Sequence, residues 1–183
     1  GRSALPARSE MCIRDRFLWW LLWPSLLSLL ALWGGGEAGL AQGWTLLLFT
    51  LPWLLMAALS LWRWNMLRWP LGEAFDRVRT PLQCVLFGLL SIGWLLGQLL
   101  PGDAAPLLWL PVLNPAELAQ WLSLLLLARW LYSDQAPQAV QNIRMPLLSL
   151  AIFVALTSVV LHGVHQWGCL LYTSLSGLAR QTG

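Results

Sequence analysis

Residues 144–167, RMPLLSLAIFVALTSVVLHGVHQW, open on one Arg and then run for twenty-three positions without an Asp, Glu, Lys or Arg. An α-helix rises about 1.5 Å per residue and the hydrocarbon core of a bilayer is about 30 Å thick, so about 20 apolar residues make one crossing. This segment is long enough. Within it Ala151, Ala155, Ser158, His162 and His165 recur at helical spacing and form one small or polar stripe, while Leu, Ile, Phe and Val fill the other faces. Such a stripe is expected to face other helices or a polar cavity.

Outward from this segment the pattern repeats. Residues 17–36, 43–62 and 82–100 supply three more apolar lengths, and 116–132 a shorter one. The expected fold is all-α: a polytopic transmembrane helix bundle of about five spanning helices over residues 17–168, with a Pro-rich extracytoplasmic segment before the fourth. Composition agrees, because 58% of the 183 residues are hydrophobic and 10% are charged, whereas soluble chains are about half apolar and about a quarter charged. The lipid bilayer is the first expected partner. A formal net charge of +3 invites a nucleic-acid reading, but the Arg residues sit in short loops beside the spans rather than on one patch, which excludes it.

The basic residues also set an orientation. Arg63, Arg68, Arg77 and Arg79 lie between spans two and three, and Arg129 and Arg144 flank the gap between spans four and five. The alternate segments, 34–43 and 101–117, hold Glu37, Asp103 and Glu117 and no basic residue. Basic loops stay cytoplasmic, so spans one, three and five run outward. Localisation in a membrane follows as the expectation. Many of the fourteen Trp, among them Trp19, Trp62, Trp69 and Trp130, mark span boundaries, where an indole has one wet and one oily edge. They read as an interfacial belt and not as a ligand cage.

Pro24 and Pro52 fall inside the first two spans, where each removes a backbone donor. Gly93 and Gly97 make a small-xxx-small pair for helix packing, and Cys84, Gly88, Ser91 and Gln98 share a second face of the same span. The stretch 101–115 is interrupted by Pro101, Pro106, Pro111 and Pro115, so it cannot be one continuous helix. Its end is sharper: Asn114 suits an N-cap, Pro115 the first helical position, and Glu117 the third, as in a capping box. The loop 62–80 mixes Trp, Leu and Phe with Arg and acids, a composition suited to an inner membrane surface with anionic lipids.

Candidate polar groups follow from position. Glu117 and Arg129 are twelve residues apart, about 18 Å of helix, so at least one must snorkel or face protein; Gln120, one turn past Glu117, is its natural companion. A helix cap at one end and a snorkelling Arg at the other explain both charges without a function. His162 and His165, at i and i+3, are placed to share a proton or a metal, but two His without a third ligand do not make a metal site. No metal or other cofactor is expected. There is no phosphate-binding Gly loop and no nucleophile, base and acid trio.

Met11-Cys12-Ile13-Arg14-Asp15-Arg16 and Cys169-Leu170-Leu171-Tyr172-Thr173-Ser174 resemble translated sequencing-adapter reads. Residues 1–16 and 169–183 are therefore expected to be non-native ends. Excluding them leaves Cys84 as the single cysteine, a small buried hydrophobe rather than half of a disulfide.

The runs Leu110-Pro111-Val112-Leu113-Asn114-Pro115-Ala116-Glu117-Leu118 and Val164-His165-Gln166-Trp167-Gly168 resemble a bacterial family of large predicted inner-membrane proteins, domain of unknown function 2339. That family has an Asn-Pro step opening a helix after a Pro-rich segment, and later a His-His-Trp-Gly-like step. Here Gln166 stands in place of the second His, which removes one half of any paired role. The resemblance implies further helices in the intact protein, as partners of this piece, and brings no activity with it.

Three classes of function remain on these residues. The first is a fragment of a polytopic inner-membrane protein with an envelope-related or transport-like role, using Glu117, Gln120 and Arg129 with the stripe from Ser158 to His165. The second is an envelope glycosyl- or acyl-transferase-type enzyme with His162 or His165 as general base; no acid lies near either His in the sequence, which counts against it. The third is a structural scaffold in which each polar residue is packing.

Overall fold

A computed structural model describes residues 4–100 and 113–181. Among them the chain is helical: α1 (Ala4–Glu37), α2 (Gln42–Trp62), α3 (Trp64–Arg68), a 3-10 helix (Gly72–Val78), α4 (Arg79–Gly97), α5 (Pro115–Leu131), α6 (Gln138–Asn142) and α7 (Arg144–Gln181). Most of the Pro-rich stretch before α5, at 101–112, lies outside the described residues. Helices α1 and α7 continue without a break through the two adapter-like runs.

Among the described residues four helical segments are long and apolar enough to cross a membrane: Ser9–Glu37, Gln42–Trp62, Gly72–Gly97 and Arg144–His165. The remaining expected span corresponds to α5, whose 17 residues cover about 26 Å at helical rise and whose apolar run is cut by Glu117 and Arg129. Burial explains how a short, charged helix holds its place. Nine residues of α5 are buried, from Pro115 to Leu131, so its surroundings are largely protein.

Helix α2 is the hub, packing on α1, α4 and α5. One core cluster joins Leu54, Ala57 and Leu61 of α2 to Phe87 and Leu90 of α4 and to Leu127, Trp130 and Leu131 of α5. At its centre the Phe87 and Trp130 rings stack with centroids 4.7 Å apart, a contact that adds to the burial of two large apolar surfaces. Small side chains let the helices meet: Ala57 and Ser60 of α2 and Ala119 of α5 are fully buried.

The α1–α2 connection closes through a glycine. Gly39 has φ +62, the left-handed conformation that costs glycine nothing, and Leu40 and Gly39 donate back to the carbonyls of Gly35 and Gly36 at 3.0 and 3.2 Å. Below it, Thr45 of α2 occupies the space that a Cβ on Gly35 would need. Pro24 and Pro52 both sit inside unbroken helices, where hydroxyls serve nearby carbonyls. Ser25 donates to Leu21 at 2.7 Å, and Ser28 crosses to Phe49 of α2 at 2.6 Å.

The segment between α2 and α4 folds as a plug. Leu67 and Phe75 are fully buried and Trp64 is 6% exposed, packed with Met56, Leu82 and Leu86 and with Phe17, Trp20 and Trp23 of α1. Trp64 stacks on Phe75 and donates its indole N–H to Asp76 at 2.6 Å; Arg68 reaches the other oxygen of Asp76 at 3.4 Å. Arg16 of α1 donates to the Trp69 carbonyl at 2.8 Å. Beside the plug, Gln83 of α4 joins α2 to the α5–α6 turn: its amide donates to the Ser60 carbonyl at 3.0 Å and to Gln135 at 2.6 Å. These contacts gather the Arg-bearing segments at one end of the bundle, with Gly39 and Glu117 at the opposite end.

Candidate functional site

The site is built at the first turn of α5. Asn114 is extended (φ −66, ψ 136) and its side-chain oxygen accepts from the Ala116 amide at 3.1 Å, with Pro115 in the first turn. This is the N-cap arrangement that satisfies an otherwise orphan donor. Glu117 lies in the same turn, where the partial positive charge of the helix N-terminus favours a carboxylate. Instead of ending at the cap, its carboxylate meets His162 of α7, with Oε1 3.1 Å from the ring Nδ1.

This contact is a demanding one. Glu117 is 7% exposed, its side chain packed between α5 and α7, and burial of a carboxylate is tolerated only with a partner. His162 is the partner, 45 residues later in sequence. With the ring protonated the contact is an ion pair; with a neutral ring it is a hydrogen bond whose proton sits on one side or the other. In each state the Nδ1 side is committed to Glu117, and Nε2 has no hydrogen-bond partner among the described residues.

One turn along α5, Gln120 accepts from Gln98 at the end of α4, with 3.2 Å between Nε2 and Oε1. The Gln120 amide lies against Gly97, in the space a Cβ there would fill. Gly97 is thus the residue that lets α4 and α5 bring the two amides together. Gly93, one turn earlier, has open space at its Cβ position and lines a shallow cavity of about 250 Å³ with Thr50, Trp53, Gln120 and Ser123. Of the two glycines, only Gly97 is in close contact with another described helix.

Along α7, Ala155 is buried against Trp94 and Leu124, with Ala151 and Val154 beside it. Ser158 and His162 are half-buried, and His165 is exposed. The stripe therefore faces α4 and α5 from Ala151 to His162 and leaves the bundle at its last member. Arg129 does not join the polar group: it is exposed, at the far end of α5. The structure brings together Glu117, His162, Gln120, Gln98 and Gly97, and leaves Arg129, His165 and Gly93 outside.

Two features were not legible as a site. Gln98 stood in the sequence only as one member of a second polar face, and although the transport-like reading grouped Glu117 with the stripe from Ser158 to His165, nothing in the sequence singled out the direct Glu117–His162 contact. The pairing also removes the argument that the histidines lack an acid. No group of three His, Cys, Asp or Glu side chains suited to a metal ion occurs among the described residues. No protein-family model, no curated protein and no solved structure matches this chain.

Proposed function

We propose that this chain is the membrane-embedded part of a polytopic bacterial inner-membrane protein with a transport-like role in the envelope, and that Glu117 and His162 form its proton-carrying centre. Membership of the family called domain of unknown function 2339 belongs to the same reading, resting on the runs at 110–118 and 164–168, and so do a fifth crossing by α5 and further helices as partners. The observation that carries it is the 3.1 Å contact between a buried carboxylate and an imidazole on two different helices. Ionisable groups within apolar helices are costly and mark proton or substrate pathways by default. The Gln98–Gln120 amide pair one turn deeper extends the polar path.

The test is proton flux in proteoliposomes that hold the full-length protein and a trapped pH-sensitive dye. An imposed potential is expected to drive flux through the unaltered protein, and Glu117→Gln and His162→Asn each to reduce it at least tenfold at equal protein content. Equal flux in all three proteins rejects the proposal in favour of the scaffold. Reporters fused after Arg77 and after Arg144 are expected in the cytoplasm, and one at Ala104 outside; a cytoplasmic signal at Ala104 rejects the five-span topology.

A second reading is favoured by the same contact. A carboxylate on Nδ1 with Nε2 free is the orientation of a general base, as a membrane glycosyl- or acyl-transferase would use. Among the described residues no hydroxyl or thiol is hydrogen-bonded to the ring, so the nucleophile would come from substrate. This reading expects no flux in the absence of substrate.

A further inference from the structure

Arg129 is an exposed cation on an apolar helix, with no carboxylate in ion-pair range among the described residues. It stands at the end of a groove of about 510 Å³ between α2 and α5. Leu51, Leu55 and Ala58 form one wall and Leu122 and Leu126 the other. Trp62, the last residue of α2, closes the same end as Arg129 and is 58% exposed. Every other residue lining the groove is apolar.

Position along the helices decides what fits there. Both α2 and α5 lead toward the Arg-bearing end of the bundle, so Trp62 and Arg129 lie side by side where an indole and a snorkelling guanidinium meet headgroups. From Leu51 to Trp62 the groove follows twelve residues of α2, about 16 Å from first to last at helical rise. Half of a hydrocarbon core of about 30 Å is about 15 Å. The groove therefore has the depth of one leaflet and opens at a single unpaired cation.

We infer that the groove between α2 and α5 holds one acyl chain of an anionic glycerophospholipid, with the lipid's phosphate paired to the Arg129 guanidinium. Charge complementarity carries the assignment. A guanidinium donates two parallel N–H groups to phosphate oxygens, and the leaflet on the basic side of a membrane protein is the one in which polybasic segments meet anionic lipid. The site is separate from the Glu117–His162 pair, about 18 Å of α5 away, and stands or falls independently of the function proposed for that pair.

Native mass spectrometry of the full-length protein, released from bilayers of phosphatidylglycerol and phosphatidylcholine in equal parts, tests it. The unaltered protein is expected to retain phosphatidylglycerol over phosphatidylcholine. Arg129→Gln is expected to lower retained phosphatidylglycerol at least fivefold, and Ala58→Phe, which fills the groove with Arg129 intact, to do the same. Arg63→Gln, which removes an exposed cation at the same end but outside the groove, is expected to change retention less than twofold. Unchanged retention in Arg129→Gln overturns the site. Loss in Arg129→Gln without loss in Ala58→Phe overturns the chain-in-groove part, and loss of equal size in Arg63→Gln shows a diffuse charge effect and overturns the assignment to Arg129.

Discussion

Helices α5 and α7 both read as apolar segments, yet they solve opposite problems. Within the 22-residue segment Arg144–His165 of helix α7, an 18-residue stretch has mean hydropathy 2.3 with only 6% of it buried, and Phe153, Val160 and Leu161 each expose more than half of their surface. Helix α5 has 17 residues with Glu117 near one end and Arg129 near the other, and nine of its residues are buried. A helix whose solvent is lipid must be long and uniformly apolar, because no neighbour will satisfy a charge. One whose solvent is protein can be short and can carry a carboxylate, provided a partner is delivered to it. The two meet at Glu117 and His162, where the exposed helix supplies what the buried one needs.

The largest effect that sharpens this contrast is expected from matched truncations. Phe87→Ala removes a fully buried ring stacked on Trp130 of α5 and is expected to cost about 3–5 kcal/mol. Phe153→Ala on α7, where the ring is 68% exposed, is expected to stay within about 0.5 kcal/mol. Unfolding in detergent measures both, and comparable losses would break the distinction between protein-facing and lipid-facing helices.

Next in size is the junction itself. His162→Ala leaves Glu117 buried without its partner and is expected to destabilise by about 2–3 kcal/mol, whereas His165→Ala, at an exposed position, is expected to be neutral within about 0.5 kcal/mol. Equal effects of the two substitutions would remove the pair as the point of contact between α5 and α7. At the α4–α5 contact, Gly97→Val drives a side chain into the Gln120 amide and is expected to cost about 1–2 kcal/mol, while Gly93→Val meets open space and should cost less. The reverse order would mean that Gly93 makes the tighter approach.

The smallest effect is expected where one hydroxyl joins two apolar helices. Ser28→Ala deletes the 2.6 Å bond to the Phe49 carbonyl and is expected to cost about 0.5–1 kcal/mol by the same unfolding measurement. A neutral result would place the α1–α2 contact on packing, at Gly35 and Thr45 and around Met56.

Much of the helical layout can be read locally. A run such as 145–167 has no charge, so its hydropathy alone identifies a membrane-length helix, and Asn114-Pro115 marks the start of α5 within one turn of chain. The capping chemistry at Asn114 needs only neighbours in sequence. The loop 62–80 is different: its Trp, Leu and Arg content suits a membrane surface, but Trp64, Leu67 and Phe75 are instead buried under α1, α2 and α4. Composition does not distinguish an apolar side chain that meets lipid from one that meets Phe17 or Leu82.

The candidate site divides in the same way. Glu117, Gln120 and His162 stand out in the sequence because polar groups are rare in apolar helices and costly there. Which of them meet depends on the relative rotation of α4, α5 and α7, and an apolar helix that is nearly uniform around its circumference does not encode that rotation in its own residues. Nothing within one turn of His162 announces that its partner lies 45 residues earlier, or that Arg129, on the same helix as Glu117, faces away. The sequence by itself determined the helical class, the apolar segments and the short list of polar groups, because these are set by hydropathy and by contacts within a turn. Only the tertiary structure decided the pairing of Glu117 with His162, the closeness of Gly97 to Gln120 and the isolation of Arg129, because each depends on how side chains from separate helices pack against one another.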